Sequence, residues 1–118
     1  MPSKQSKAKK FDQETIKRIL RRDGGCIFCN AKRWELSDEY GKKIFDIAHI
    51  VNRSQGGLGI EQNGVTACRA HHMELDNGNK GWREGMQQYV EEYMKALYPD
   101  WNRENLVYRK YKEGICYR

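Results

Sequence analysis

Two short cysteine-containing motifs constrain the fold of this chain more than any other feature. "CIFC" places Cys26 and Cys29 three residues apart, and "CRAH" places Cys68 and His71 at the same spacing. A tight turn directs both side chains of such a pair toward one point, and three thiolates with one imidazole suit a tetrahedral zinc ion. We therefore predict a structural Zn²⁺ site that joins two segments about forty residues apart.

The alternatives for Cys26 and Cys29 are two free thiols or a redox pair. A redox C-x-x-C motif normally begins a helix after a strand, whereas this one follows "DGG" at 23–25, which is typical of a helix end. In a reducing compartment, cysteines more often serve as thiols or metal ligands than as disulfides. Cys116 has no partner at this spacing and is interpreted as an ordinary free cysteine.

The composition predicts one domain with a modest core. Of the 118 residues, 38% are hydrophobic and 32% are charged, so a metal ion or an oligomeric partner would supply part of the stability. The formal net charge of +6 favours a polyanionic partner such as nucleic acid, although a solvated basic surface is the simpler alternative. No apolar run is long enough to span a bilayer, and "MPSKQSKAKK" lacks a signal-peptide core, so we expect a cytoplasmic protein without a membrane partner.

Local patterns predict the order of the elements. Residues 1–10 are rich in lysine and are expected to form a disordered basic arm. Asp12 caps a helix with Phe11 packed on Ile16 and an apolar face of Ile16, Ile19 and Leu20, and "DGG" ends it. Residues 33–51 are expected to be extended, with a turn near Gly41.

The second half of the chain predicts a strand and two helices. "GVTA" at 64–67 is expected to return as a short strand, and a helix from near Cys68 would run to "NG" at 77–78. Apolar residues then recur at helical spacing before Pro99, and we expect them to pack on the domain: Met86, Tyr89, Val90, Tyr93, Met94 and Leu97. "DWNRENLVYRKY" from residue 100 onward fits either another capped helix or a basic strand.

All three histidines lie in "IAHIVNRSQGGLGIEQNGVTACRAHHMELDNG", residues 47–78. With His71 assigned to zinc, His49, Asn63 and His72 remain in that order, with "GG" between the first two and C-x-x-[CH]-H at the end. This arrangement resembles the HNH endonuclease family, and in particular the small HNH proteins encoded by bacteriophages and prophages. The resemblance covers residues 26–78, about half the chain, and extends in part to "YPDWNRENLVYRKY".

The resemblance implies an α+β fold with a ββα-metal core of the HNH, or His-Me finger, type. The zinc knuckle and this core would occupy about residues 26–78, followed by a C-terminal helical extension over about residues 82–118, all within a single domain from residue 11. It further implies a nuclease that hydrolyses DNA phosphodiester bonds, leaving 5′-phosphate and 3′-hydroxyl ends. An association with phage packaging machinery follows only from the family.

Carried over to this chain, the resemblance gives each remaining residue a role. His49 would be the general base, Asn63 would hold the loop and position the imidazole of His49, and His72 would bind a catalytic Mg²⁺, Mn²⁺ or Ni²⁺. A histidine with its ordinary pKa near ~6.5 can accept a proton at neutral pH. Neighbours on a helix point about 100 degrees apart, so His71 can face the zinc while His72 faces the active site.

The chain departs from the family at Ala48, where many members have a metal-binding Asp or His. Asp46 lies on the same strand face and could replace that ligand. Asp76 lies one helical turn after His72 and is the partner that we favour. If neither carboxylate binds, the cation would be held weakly and the enzyme would be slow or inactive.

Basic residues near the site are candidates for DNA contact. The family implies that Arg53, in "NRSQGGLG", touches a phosphate, and Arg69 is assigned the same role. The surface could extend over further basic residues: Lys80, Arg83, Arg109, Lys110 and Lys112. Trp82 and Trp101 are interpreted as core or anchor residues.

Each candidate also has an ordinary structural explanation when taken alone. His49 and His72 would be packed or surface histidines, Asn63 beside Gly64 a turn signal, and the two aspartates solvated carboxylates. Two other functions therefore remain open: an HNH scaffold without its cation that binds DNA or protein, and a structural zinc domain of a phage assembly with an acidic partner. Whether the protein is a monomer or a homodimer is also left open.

Overall fold

The computed structural model describes residues 8–78 and 80–108. Along the chain it contains α1 (Gln13–Asp23), a short α2 (Ile27–Asn30), β1 (Phe45–His49), β2 (Gly64–Cys68), α3 (Arg69–Asn77) and α4 (Arg83–Leu97). Short 3₁₀ turns lie at Gly41–Lys43, Arg53–Gln55, Glu61–Asn63 and Arg103–Leu106. The predicted α+β class is confirmed. Among the described residues, no helix has both the length and the apolar character needed to cross a bilayer.

The sheet consists of two antiparallel strands, with Phe45 opposite Cys68 and His49 opposite Gly64. Every residue of β2 is buried, because α1, α2 and α3 pack around this strand. The predicted strand over "GVTA" is therefore confirmed. β2 leads directly into α3, whose N-cap is Cys68 and whose last residue precedes Gly78, as the sequence predicts.

Helix α1 begins and ends where the sequence predicts. The Asp12 carboxylate accepts a hydrogen bond from the Thr15 N–H at 2.8 Å, and Gly24 ends the helix in the left-handed conformation with φ 64°. Its buried face differs from the prediction, because Thr15, Ile19 and Asp23 are buried while Leu20 is 37% exposed. Residues four apart form this face, which turns Leu20 toward solvent.

Only part of the predicted extended segment forms a strand. β1 covers residues 45–49, and the expected turn near Gly41 is present, but "RWEL" at 33–36 is not a strand. The backbone instead turns there, since Lys32 and Trp34 have φ values of 56° and 55°. This turn directs the Trp34 carbonyl toward the His71 ring, a tertiary contact without a sequence signal.

Helix α4 packs on the core through Met86, Val90 and Met94, as its apolar spacing predicts. Leu97, at the end of the predicted stripe, is 42% exposed. After the helix, Trp101 is buried and its indole N–H donates to the Gln62 carbonyl at 2.8 Å, so its anchor role is confirmed. Trp82 is partly buried against the core.

The chain after Trp101 forms neither a full helix nor a strand within the described residues. A 3₁₀ turn at Arg103–Leu106 is followed by an isolated bridge between Val107 and Gly57. Several residues discussed above lie outside the described residues: residues 1–7 of the predicted arm, Arg109, Lys110, Lys112 and Cys116, which is interpreted from the sequence as free. Residues 8–10 of that arm have defined contacts, because the Ala8 carbonyl accepts from the Gly59 N–H at 2.8 Å.

A buried ion pair joins α1 to β2 and α4. The Asp23 side chain is fully buried and accepts four hydrogen bonds: two from Arg22 at 2.7 and 3.0 Å, one from the Tyr93 hydroxyl at 2.7 Å and one from the Thr66 N–H at 2.7 Å. Arg22 also donates to the Gly64 carbonyl at 2.7 Å. Because both charged groups are paired and hydrogen-bonded, their burial is tolerated.

We expect Asp23→Ala to be strongly destabilising. The substitution leaves the Arg22 guanidinium buried without its counter-charge and the Thr66 N–H without an acceptor, at a cost of roughly 3–5 kcal/mol. Urea denaturation measures the change, with Asp100→Ala, an exposed carboxylate, as the control expected to stay within about 0.5 kcal/mol of the parent. Equal stabilities for the two variants would contradict this assignment.

Candidate metal centre and histidine cleft

The four residues of the two cysteine-containing motifs converge on one point. The His71 Nδ1 atom lies 3.6, 3.5 and 3.3 Å from the sulfurs of Cys26, Cys29 and Cys68, and the Cys29 and Cys68 sulfurs are 3.9 Å apart. A tetrahedral zinc with bonds of about 2.3 Å to sulfur and about 2.0 Å to nitrogen separates two sulfurs by about 3.8 Å, and sulfur from nitrogen by about 3.5 Å. The predicted cluster is confirmed, and it could hold a metal ion with the chemistry of structural zinc.

Both ligand pairs are built by the same local device. Cys26 is the N-cap of α2 and Cys68 the N-cap of α3, and each sulfur accepts a hydrogen bond from the N–H of the second ligand, at 3.4 Å from Cys29 and 3.5 Å from His71. A helix start presents free N–H groups and a partial positive charge, both of which stabilise a thiolate. The x-x spacing thus follows from the geometry of the first helical turn.

The orientation of the His71 ring is fixed from outside the cluster. Its Nε2–H donates to the Trp34 carbonyl at 2.8 Å, which leaves Nδ1 as the ligand atom. Metal-binding histidines commonly donate their second ring nitrogen in this way. The left-handed backbone of Trp34 thus has an evident role in positioning a ligand.

The three thiols differ in pKa because they are close to one another and to His71. Burial disfavours the Cys26 thiolate, but the hydrogen bond with His71, the backbone hydrogen bonds from Cys68 and Cys29 and the charge of His71 together lower the pKa of Cys26 to about 6. Burial and the neighbouring Cys26 charge raise the pKa of Cys29 to about 12, and burial also raises that of Cys68. A divalent cation at the centre would remove this mutual repulsion and allow all three thiols to ionise.

His49 lies at the end of β1 and lines a cleft of about 230 Å³. Its Nε2–H donates to the Lys9 carbonyl at 2.9 Å, and the Phe11 ring lies 4.3 Å from the imidazole centre. Burial lowers the pKa of His49, and the charges of Arg53 and His72 lower it further, while the Lys9 carbonyl opposes the shift. Among the described residues, none forms a hydrogen bond with Nδ1.

Asn63 is fully buried and holds the loop that follows His49. Its Oδ1 accepts from the Val51 N–H at 2.8 Å, and its Nδ2 donates to the carbonyls of Val51 at 3.2 Å and Leu58 at 2.7 Å. Its own carbonyl accepts from the Ile50 N–H at 2.9 Å. The side chain therefore acts on the backbone next to His49 and makes no hydrogen bond to the imidazole.

His72 lies between the two carboxylates that the sequence offers as alternatives. Its Nδ1 is 3.0 Å from Asp46 Oδ2 and its Nε2 is 3.4 Å from Asp76 Oδ2. Asp46 also accepts two hydrogen bonds from Arg69, at 3.1 and 2.9 Å, and these, aided by His72, lower the pKa of its carboxyl. Asp76 is half exposed and lines the same cleft as His49.

The two candidate DNA-contact residues differ in their surroundings. Arg53 is exposed in the loop after β1, where its carbonyl accepts from the Lys9 ammonium at 3.1 Å. Arg69 is paired with Asp46. The cleft itself is lined by Arg83 and Arg103, and Arg103 is also 3.3 Å from a Glu91 carboxylate. Arg103 is not among the candidates selected from the sequence, although a basic residue in the segment after α4 is a reasonable candidate for phosphate contact.

Within residues 8–78 and 80–108, only the Cys₃His set brings three or more candidate ligand side chains within 4.8 Å of one another. The residues assigned to a catalytic cation do not form such a cluster. Sequence reasoning also missed three parts of the sites: the Lys9 carbonyl, the Phe11 ring and the Trp34 carbonyl. Two of these are backbone acceptors, which any residue type supplies.

Comparisons of the chain with known protein families, curated proteins and solved structures found no match.

We expect the purified protein to contain one zinc per chain, and Cys26→Ser to lose it. Because the ligand set joins α2 to β2 and α3, loss of the metal should lower Tm by roughly 10 °C or more, at about 4 °C per kcal/mol. Elemental analysis and thermal unfolding with and without a chelator measure both effects.

Cys116→Ser is the matched control for this experiment. The sequence assigns Cys116 no metal-binding role, so this variant should retain both its zinc and its Tm. A parent protein that folds equally well without metal would contradict the structural role of the cluster.

Proposed function

We propose that this protein is a metal-dependent endonuclease of the HNH type, which nicks or cleaves DNA, with β1, β2 and α3 as its ββα-metal core. The observation that carries the proposal is the state of His49. This imidazole lines a cleft, has one nitrogen fixed as a donor, and has a pKa below its ordinary value. Such a histidine is neutral at pH 7 and can act as a general base.

His49 would remove a proton from the attacking water. With Nε2–H donating to Lys9, the free electron pair lies on Nδ1, which accepts this proton while the water oxygen bonds to phosphorus. The bond from phosphorus to the 3′ oxygen then breaks, leaving a 5′-phosphate and a 3′-hydroxyl once that oxygen is protonated. Asn63 maintains the backbone on which His49 is carried.

His72 and Asp76 fit the binding of a divalent cation. Their Nε2 and Oδ2 atoms, 3.4 Å apart, can occupy adjacent positions around one ion, as in Mg²⁺ and Mn²⁺ sites completed by water and substrate phosphate. A bound cation would act as a Lewis acid on the scissile phosphate and the leaving oxygen. Asp46 suits an orienting role, because its hydrogen bond from Nδ1 leaves Nε2 of His72 free for the ion.

The charge of the cleft suits a phosphodiester backbone. Arg83 and Arg103 line it and Arg53 lies near His49, so three guanidinium groups surround the proposed reaction site. Such groups position nucleic acid without reading its sequence. Contact between DNA and Arg69 would have to compete with the Arg69–Asp46 pair.

A second function, a zinc-stabilised module that binds DNA or protein without cleaving, is favoured by a different observation. Among the described residues, only the Cys₃His set brings three or more candidate ligand atoms close together, and Ala48 supplies no ligand beside His49. A role within a phage assembly and a cytoplasmic location remain predictions from the sequence.

We expect the parent protein to nick supercoiled plasmid with Mg²⁺, Mn²⁺ or Ni²⁺, and His49→Ala to lose about 10²- to 10⁴-fold in rate through removal of the general base. Initial rates of relaxed-circle formation on agarose gels give the comparison. The variant should keep its zinc and its Tm, which shows that the loss is chemical.

The same gels distinguish the alternatives. Retardation of the plasmid without nicking would favour the binding module, and the absence of both would favour a structural role in an assembly. Nicking that survives His49→Ala at the parental rate would remove His49 from the mechanism.

The nicking rate should rise with pH and reach a plateau. His49 must be neutral to accept a proton, and its lowered pKa places the midpoint of the rise below about 6.5, with activity lost at more acid pH. Initial rates between about pH 5 and pH 8 at constant Mn²⁺ measure this profile. A profile that is flat over this range would contradict the assignment of His49 as base.

A further inference from the structure

A short segment ahead of α1 makes close contacts around His49. We call residues 8–11, "AKKF", the strap. The Lys9 carbonyl accepts from His49 Nε2 at 2.9 Å, and the Phe11 ring lies against the imidazole with centroids 4.3 Å apart and planes inclined by 37°. The Lys9 ammonium donates to the Arg53 carbonyl at 3.1 Å.

The path of the strap depends on two glycines. A Cβ added to Gly59 would lie 2.3 Å from the Lys10 carbonyl carbon and 2.7 Å from the Phe11 nitrogen, far inside normal contact. A Cβ on Gly64 would lie 2.8 Å from the Phe11 ring. The Gly59 N–H also donates to the Ala8 carbonyl at 2.8 Å. The strap therefore lies directly on the glycine-rich loop. Gly59, the last residue of "GGLG", is needed there because a side chain would collide with the strap, and not only for loop flexibility.

The contact with Lys9 determines the chemical form of the imidazole. A carbonyl can only accept, so the hydrogen bond requires a proton on Nε2, and the neutral ring then has its lone pair on Nδ1. The Phe11 ring covers one face and excludes water from it. Without the strap, both neutral tautomers would be available and the ring could rotate about χ1 and χ2.

We propose that the strap is a positioning element for His49, with the Lys9 carbonyl selecting the Nε2–H tautomer and the Phe11 ring fixing the imidazole plane. Its catalytic consequence rests on the proposed nuclease function, since it makes Nδ1 the proton acceptor. The selection of the tautomer does not depend on that function. The charged groups that act on the ring or line its cleft are Arg53, His72, Asp76, Arg83 and Arg103.

The test compares the full-length parent with Gly59→Ala and Phe11→Ala, using the ¹⁵N shifts of the His49 ring nitrogens. We expect the parent to hold the Nε2–H tautomer when neutral. Gly59→Ala displaces the strap backbone, and Phe11→Ala removes the covering ring. Both should give a mixture of tautomers and a His49 pKa that rises toward the ordinary value, because burial is its main cause of depression.

Gly85→Ala is the matched control. A Cβ on Gly85 would lie 3.7 Å from the Trp34 ring, which is an ordinary contact and does not involve the strap. The His49 signals should therefore not change. If Gly59→Ala fails to fold, as judged by zinc content and circular dichroism, Phe11→Ala decides alone. In a nicking assay, a strap variant should lose roughly tenfold to hundredfold in rate although His49 itself is not substituted.

The outcomes separate the two proposals. A parent with the Nδ1–H tautomer, or strap variants with parental tautomer and pKa, would overturn the positioning role whatever the nicking result. The expected NMR changes in a protein that never nicks DNA would support the strap and leave the nuclease proposal refuted.

Discussion

The Cys₃His cluster is the interaction on which the rest of the structure depends. In the described part of the chain the sheet has two strands, and a pair of strands this short is marginal by itself in water. The side chains of the cluster come from α2, from the end of β2 and from the first turn of α3. One bound ion would therefore join three elements and add to the stability that a small core provides. The N-cap hydrogen bonds to Cys26 and Cys68 preorganise the sulfurs before any metal binds.

The buried Asp23–Arg22 pair holds β2 from a second direction. Asp23 accepts from the N–H of Thr66 in the middle of the strand, and Arg22 donates to the carbonyl of Gly64 at its start. The candidate metal ligand Cys68 lies at the opposite end of β2. One strand of five residues is thus fixed at both ends by polar interactions, which compensates for the modest apolar interior that the composition implies.

The parts of this structure that could be predicted depend on the identity of individual side chains. The paired x-x spacings predicted the four candidate metal ligands, Asp12 and Gly24 marked the limits of α1, and the apolar spacing predicted α4. The failures arise where tertiary contacts or backbone atoms decide. Leu20 faces solvent because a charged residue, Asp23, takes the buried position on α1. The chain turns at "RWEL", where the Trp34 carbonyl accepts a hydrogen bond from His71.

The two neighbouring histidines connect the metal centre to the cleft. His71 is held by the sulfurs and by the Trp34 carbonyl, which fixes the rotation of α3 about its axis. The next side chain, His72, is consequently directed toward Asp46 on β1, and Asp76 follows one turn later at the cleft of His49. The cluster thus acts on the cleft through helix geometry alone, without direct contact. The strap contacts His49 directly, so His49 and His72 are oriented by different parts of the chain.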